Sequence, residues 1–354
     1  SCRRNLMDWD AIYTSRILPD LGIGRGGIPS PRLVFVCGQP GSGKSTAISQ
    51  LLAELGPDQT QLISADRMAD HLPEIFADDA DPAAKPLAKV FDTQAHKAYV
   101  DGLFDHAATL RAHVIWERPF PGLALSFGLA ARAYGYRTEC IVLAVPADES
   151  WLSVLTRETG LAKTENRVPV RVRWDRLLAS CNDWPAFLAK AEDQHAFDEL
   201  RVVNRNAEVL FENRLVPNAD QPHWENTPFA FESLMVERLQ PRSPAQIDAL
   251  LATWQTLRSH PDLAFRNHAE WPWADITAIG DRLQALRDDP ATSFDLNDPA
   301  ASRDPRAALG WITRLQADLT AALASPEAKG LKTLAPRAER LLTLVRNLTG
   351  QPAP

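Results

Sequence analysis

The nine residues Gly38-Gln39-Pro40-Gly41-Ser42-Gly43-Lys44-Ser45-Thr46 follow a short apolar run, Leu33 to Cys37, and open a segment with apolar residues at Ile48, Leu51, Leu52 and Leu55. The first run suits a buried strand, and the second spacing suits one face of a helix. Strand, glycine-rich loop and helix in that order make a phosphate-binding P-loop. Glycines at Gly38 and Gly43 let backbone N–H groups curl around phosphate oxygens without a Cβ in the way. Lys44 then reaches the β- and γ-phosphates, and Ser45 is the expected Mg²⁺ ligand. The helix N-terminus points at the anion and adds its dipole. Gly38 to Thr46 is therefore the predicted nucleotide site, with ATP as the cofactor and GTP as the alternative.

A net charge of −7 argues against a general basic face for wrapping nucleic acid, whose non-specific affinity comes from neutralised phosphates. The same balance is compatible with a small anionic substrate. Cys2, Cys37, Cys140 and Cys181 are far apart, with no Cys-x-x-Cys pair, so Cys37 and Cys140 read as core thiols in a reducing compartment. The eight histidines show no His-x-x-x-His spacing, which leaves Mg²⁺ as the only metal expected. There is no run of eighteen apolar residues and no signal-peptide core, so the expectation is a cytoplasmic chain without a membrane partner.

From Leu33 to about Arg214 strand and helix patterns alternate. Strands are predicted over 33–37, 61–64, 113–116 and 140–145, with helices over 91–110 and 122–136 between the later ones. Residues 201–203 and 208–211 flank Asn204-Arg205-Asn206-Ala207 and read as a hairpin. The fold class is α/β, a parallel sheet with helices on both faces, plus a C-terminal helical region. Residues 1–32 read as a helical lead-in and 33–215 as the α/β domain. The proline-rich stretch 216–243 reads as a linker, and 244–354 as a helical accessory domain with helices near 244–259, 272–288, 303–325 and 335–349. The tryptophans of that last part read as packing residues.

In such a sheet ligands sit at the C-terminal ends of the strands. Asp66, just past the second strand, is placed to take the proton of an acceptor hydroxyl, and equally suits an N-cap for the next helix. Glu117, at the end of the third strand, is placed to hold Mg²⁺ directly or through water; its plain alternative is a solvated strand end. Asp101 taken alone is a helix-surface charge.

The ordered set Gly-Gln-Pro-Gly-Ser-Gly-Lys-Ser, Asp66-Arg67-Met68 with His71-Leu72-Pro73, Glu117, Gly135-Tyr136 leading to Ile141 through Pro146, Arg157, Asn166-Arg167-Val168-Pro169 and Asn204-Arg205 resembles the zeta-toxin family. The resemblance spans about residues 10–214. That family consists of P-loop kinases, best known as toxins of toxin–antitoxin pairs, that phosphorylate the 3′-hydroxyl of a UDP-N-acetyl-amino sugar. It implies Lys44 and Ser45 at phosphate and Mg²⁺, and Asp66 as the base. Glu117 takes the carboxylate position ending strand three, and Asp101 that of a substrate-contacting acid. Arg157 and Arg167 would neutralise the transferring phosphoryl group. The implied partners are a nucleotide or nucleotide-sugar acceptor and an antitoxin protein.

One stretch departs from the family. Where its best-known members have Gly-Thr-Gly-Arg after the glutamate, this chain has Arg118-Pro119-Phe120-Pro121-Gly122. Two prolines stiffen the loop, Phe120 adds an aromatic surface and Arg118 stands ready to reach a phosphate. The expectation is a small-molecule kinase, toxic to cells, whose acceptor differs from UDP-N-acetylglucosamine or is bound differently. The competing readings are a P-loop switch that controls the C-terminal helices, and a polynucleotide kinase. The missing Asn-Lys-x-Asp weighs against the first and the acidic balance against the second.

Overall fold

The structure, a computed structural model, describes residues 13–17, 26–64, 99–159, 172, 174–216, 222–239, 242–260, 273–288, 305–328 and 330–349. Of the lead-in, Tyr13–Ile17 forms a π-helical turn. Strand β1 (Arg32–Cys37) runs into the glycine-rich loop and helix α1 (Lys44–Leu55), then β2 (Thr60–Ile63). Helix α2 (99–110) leads to β3 (His113–Arg118), α3 (Ala124–Ala133), β4 (Arg137–Leu143) and α4 (Ala147–Glu158). Helix α5 (Trp174–Asp193) precedes β5 (Glu199–Val203), β6 (Val209–Val216) and β7 (His223–Trp224). The helices α6 (Ala230–Leu239), α7 (Pro244–Arg258), α8 (Trp273–Asp288), α9 (Pro305–Ala324) and α10 (Leu334–Thr349) follow.

The seven strands lie in the order β2-β3-β1-β4-β5-β6-β7. The five from β2 to β5 pair in parallel, while β6 and β7 close one edge antiparallel. Because side chains alternate along a strand, β1 sends Leu33, Phe35 and Cys37 to one core and Val34 and Val36 to the other. Helix α1 covers the second face with Ala47, Ile48, Leu51 and Leu55, as its apolar spacing predicts. The first face is buried under α2, α3 and α5.

The C-terminal helices do not stand apart from this core. Leu315 and Leu319 of α9 and Leu341 and Val345 of α10 belong to the same apolar cluster as Phe187 of α5 and Leu200 of β5. Arg337 of α10 bonds Glu192 of α5 at 2.7 Å and Glu232 of α6 at 2.6 Å, all three buried, with its guanidinium 5.3 Å from the Phe231 ring centre. Helices α7 and α8 instead pack with α4 and the first turns of α5.

The stretch 216–243, which reads as a linker, carries β7 and α6, and Phe231 and Leu234 of α6 are fully buried in the sheet's core. Its prolines flank these elements rather than interrupt them. Pro222 stands immediately before β7, and Pro228 two residues before α6. Proline is well tolerated at such boundaries. Strand β3 also runs two residues further than its apolar stretch suggests, with Val36 opposite Glu117 and Cys37 opposite Arg118. The buried thiols Cys37 and Cys140 lie 3.9 Å apart, and burial raises the Cys140 pKa well above the ordinary thiol range, which makes it an inert core residue.

Candidate active site

The glycine-rich loop leaves β1 at the middle of the sheet, and its first amide, Gly38, donates to the Arg118 carbonyl at 3.1 Å. Gly41 has φ 78°, and a Cβ there would lie 2.1 Å from the Ser150 carbonyl oxygen of α4. Gly43 has φ 92° and leads directly into α1. The loop is thus pinned between α4 and the β5–β6 turn, and only glycine fits at Gly41.

Lys44 opens α1 with its ammonium turned back over the loop. Its Nζ donates to the Gly38 carbonyl at 2.9 Å and the Gln39 carbonyl at 3.2 Å, and stands 3.6 Å from Glu117 Oε1. Ser64, directly after β2, donates to Glu117 Oε2 at 2.6 Å. The ends of β1, β2 and β3 therefore meet in one chain, Lys44, Glu117 and Ser64. Ser64 is absent from the sequence expectation; the signal for it was its place two residues before Asp66 at a strand end.

A second cation closes the loop from the other side. Arg205, in the β5–β6 turn, donates from Nη1 to the Gly41 carbonyl at 3.2 Å and from Nη2 to Ser153 Oγ of α4 at 2.5 Å. Asn204 shapes that turn by accepting from the Asn206 and Glu208 amides at 2.9 and 3.0 Å. Asn204-Arg205 stood in the motif set, but nothing in the sequence tied Arg205 to the loop. Ser150, Ser153 and Arg157 fall at i, i+3 and i+7 along α4, so helical geometry puts Arg157 on the face that fronts the loop.

Gln39 is fully buried with its side chain turned into the protein. Its Nε2 donates to the Val145 carbonyl at 2.5 Å and to Ser150 Oγ at 2.9 Å. Its Oε1 accepts from Nη2 of Arg238 on α6 at 3.0 Å. Arg238 also donates from Nη1 to the Cys181 carbonyl at 2.7 Å. Burial pulls its guanidinium below the ordinary range, opposed by Cys181 and Asp318.

Arg118 takes a different direction from Glu117. Strand alternation sends it to the opposite face with Trp116, whose ring centre lies 5.1 Å from the guanidinium carbon. Its Nε is buried without a hydrogen-bond partner among the described residues, and burial lowers its pKa. Asp101 is half-buried on α2, and Ser45 and Thr46 are exposed at the start of α1. Asp66 and Arg167 lie outside the described residues.

The groups that could hold a metal are the hydroxyl of Ser45 and the carboxylate of Glu117, both hard oxygens. No cluster of three or more His, Cys, Asp or Glu capable of holding a metal occurs among the described residues. That set fits Mg²⁺, which keeps most of its shell as water and phosphate oxygens and needs one or two protein ligands.

A family model described as Zeta toxin matches residues 26–215. The chain belongs to the zeta-toxin family. Its sheet, loop and helices are those of a P-loop kinase, and the family is one of ATP-using phosphotransferases. Among solved structures, this zeta-toxin chain resembles one from the PezAT chromosomal toxin–antitoxin system of Streptococcus pneumoniae. The TM-score is 0.53 at 15% identity, covering 71% of this chain and 98% of that one. A chain from the crystal structure of AvrRxo1-ORF1:-ORF2 with ATP is more distant, with a TM-score of 0.43 at 12% identity over 77% of this chain and 87% of that one. Comparison with curated protein sequences finds no match. No helix among the described residues is long and apolar enough to cross a membrane.

Proposed function

We propose that this zeta-toxin homologue transfers the γ-phosphoryl group of ATP to a sugar hydroxyl of a nucleotide or nucleotide sugar. The observation that carries the reading is the chain Lys44, Glu117, Ser64 across three strand ends beneath the loop. A cation and a carboxylate side by side beneath such a loop support this reading, because phosphoryl transfer needs both charges near the phosphates and the metal.

In this reading the loop amides and Lys44 hold the β- and γ-phosphates. Ser45, and Glu117 directly or through water, would hold Mg²⁺, which would supply positive charge to the phosphate oxygens. Asp66 accepts the proton of the acceptor hydroxyl as its oxygen forms a bond to the γ-phosphorus. The bond from that phosphorus to the bridging oxygen breaks, and ADP leaves with the electron pair. Arg157 and Arg167 stabilise the charge on the moving group. Arg205 keeps the loop in shape from the Gly41 side.

The acceptor is a nucleotide or nucleotide sugar other than UDP-N-acetylglucosamine, or that molecule held differently. Arg118 occupied on Trp116, together with Pro119 and Pro121, supports this, because a family arginine that binds the sugar nucleotide has no equivalent three residues later. Toxicity to the cell that makes the protein and an antitoxin partner belong to the same proposal and rest on family membership. The test is incubation of the full chain with labelled ATP, Mg²⁺ and a metabolite extract, followed by mass identification of the phosphorylated product. A labelled nucleotide or nucleotide sugar is expected; saturable preference for UDP-N-acetylglucosamine would refute the altered choice, and no labelled small molecule at all would refute the kinase reading.

A further inference from the structure

Arg238 lies beyond residue 215, where the family match ends, yet it reaches the phosphate loop. A glutamine amide can turn half a revolution about its last bond and exchange oxygen for nitrogen at little cost, so its neighbours choose its direction. Arginine has donors only. With Nη2 of Arg238 on one side, Gln39 must present its oxygen there, and its NH₂ group must then face the Val145 carbonyl and Ser150 Oγ.

The same residue also takes part in the loop's backbone bonding. The carbonyl of Gln39 accepts from Lys44 Nζ at 3.2 Å and from the Ser42 amide at 3.1 Å. Gln39 therefore joins α4 and α6 on its side-chain end to Lys44 on its backbone end. Arg238 is held for this by the Cys181 carbonyl, while its flank borders an open pocket of about 770 Å³ lined by helices α4 to α9. Two directed hydrogen bonds rather than close packing on that flank fix the guanidinium.

We infer that Arg238 is a positioning residue for the ATP site, orienting Gln39 and through it the carbonyl that steadies Lys44, so that α6 is part of the kinase's working unit. This rests on the reading of the loop as the ATP site. Direct calorimetric titration of Mg-ATP into the full chain tests it, with thermal midpoints and steady-state kinetics measured on the same proteins: parent, Lys44→Ala, Arg238→Met, Gln39→Met and the double Gln39→Met/Arg238→Met variant.

Arg238→Met is expected to weaken ATP about tenfold, the loss for one charged hydrogen bond, and to raise KM for ATP more than it lowers kcat. On the Gln39→Met background the same change should alter ATP affinity less than about twofold, because the group through which Arg238 acts is already gone. Equal weakening on both backgrounds overturns the inference. So does parent-like ATP affinity in an Arg238→Met protein whose thermal midpoint alone has fallen. Should Arg238→Met fail to fold, Arg238→Lys serves, since one ammonium cannot span both oxygens as the guanidinium fork does; its ATP affinity should be intermediate, and parent-like affinity overturns the inference. A parent chain that binds no ATP would overturn the nucleotide reading itself, and this inference with it.

Discussion

Lys44 Nζ stands 3.6 Å from Glu117 Oε1, and the other oxygen of that carboxylate accepts from Ser64. The pair brings together a residue on the first turn of α1 and one near the end of β3, so each offsets the other's charge beside the loop. Replacing Lys44 by Ala removes the cation facing the β- and γ-phosphates and leaves Glu117 facing the loop alone. Turnover should fall by about 10²–10³, measured as ADP formation with the acceptor present. Transfer at the parent rate would show that the loop does not carry the chemistry.

Glu117→Gln keeps the hydrogen bond from Ser64 within reach but removes the charge. The variant should need more Mg²⁺ for half-maximal rate while binding metal-free ATP no worse than the parent. A Mg²⁺ dependence unchanged from the parent would remove Glu117 from the metal site.

Asp66→Asn tests the base. The amide is nearly isosteric and cannot accept the acceptor's proton, so ATP affinity by calorimetry should persist while transfer drops about 10²–10⁴-fold. If activity survives and only stability moves, by about 1 kcal/mol, Asp66 is a helix cap.

The Arg337, Glu192 and Glu232 cluster joins α10 to α5 and α6, where burial, with Glu232 acting in the same direction, raises the Glu192 carboxyl above its ordinary range and Arg337 opposes the rise. Arg337→Met strands two buried carboxylates and should cost about 3–5 kcal/mol in urea unfolding at neutral pH. Without the arginine the folded pKa of Glu192 rises further. A raised carboxyl contributes stability that is present at low pH and lost as pH rises through the folded value, so the deficit should be smaller at pH 5 than at pH 8. An equal deficit at both would count against a charge-based cause.

Glu237 of α6 offers a cleaner titration. Burial pushes its pKa up to about 7, with Glu149 and Glu208 acting in the same direction and Arg242 opposing. The folded state holds this proton where the unfolded chain has released it, so stability should decline as pH rises from the ordinary carboxylate range to about 7, then level off. The group is partly exposed and screened, so the decline attributable to it is only about 1 kcal/mol. Unfolding midpoints across pH 4–8 should be flatter for Glu237→Gln; an unchanged slope would assign the effect elsewhere.

What the sequence determined by itself is what local chemistry dictates. The loop from Gly38 to Thr46 announces itself because its glycines, lysine and hydroxyl answer to backbone geometry within nine residues. The C-terminal helices α7 to α10 fall close to the segments that the apolar period predicts, since that period is a property of each helix alone. Tertiary structure decided the rest. Prolines that read as a linker turned out to flank α6, because nothing local says that Phe231 and Leu234 will find the sheet's open face. Arg118 parted from Glu117 because strand β3 extends through both and adjacent side chains on a strand point to opposite faces. Arg205 and Arg238 met the loop across 164 and 199 residues, and such a contact leaves no mark in the spacing of a single chain. It exists only once the sheet, α4 and α6 have packed and left one buried amide with a donor-only neighbour.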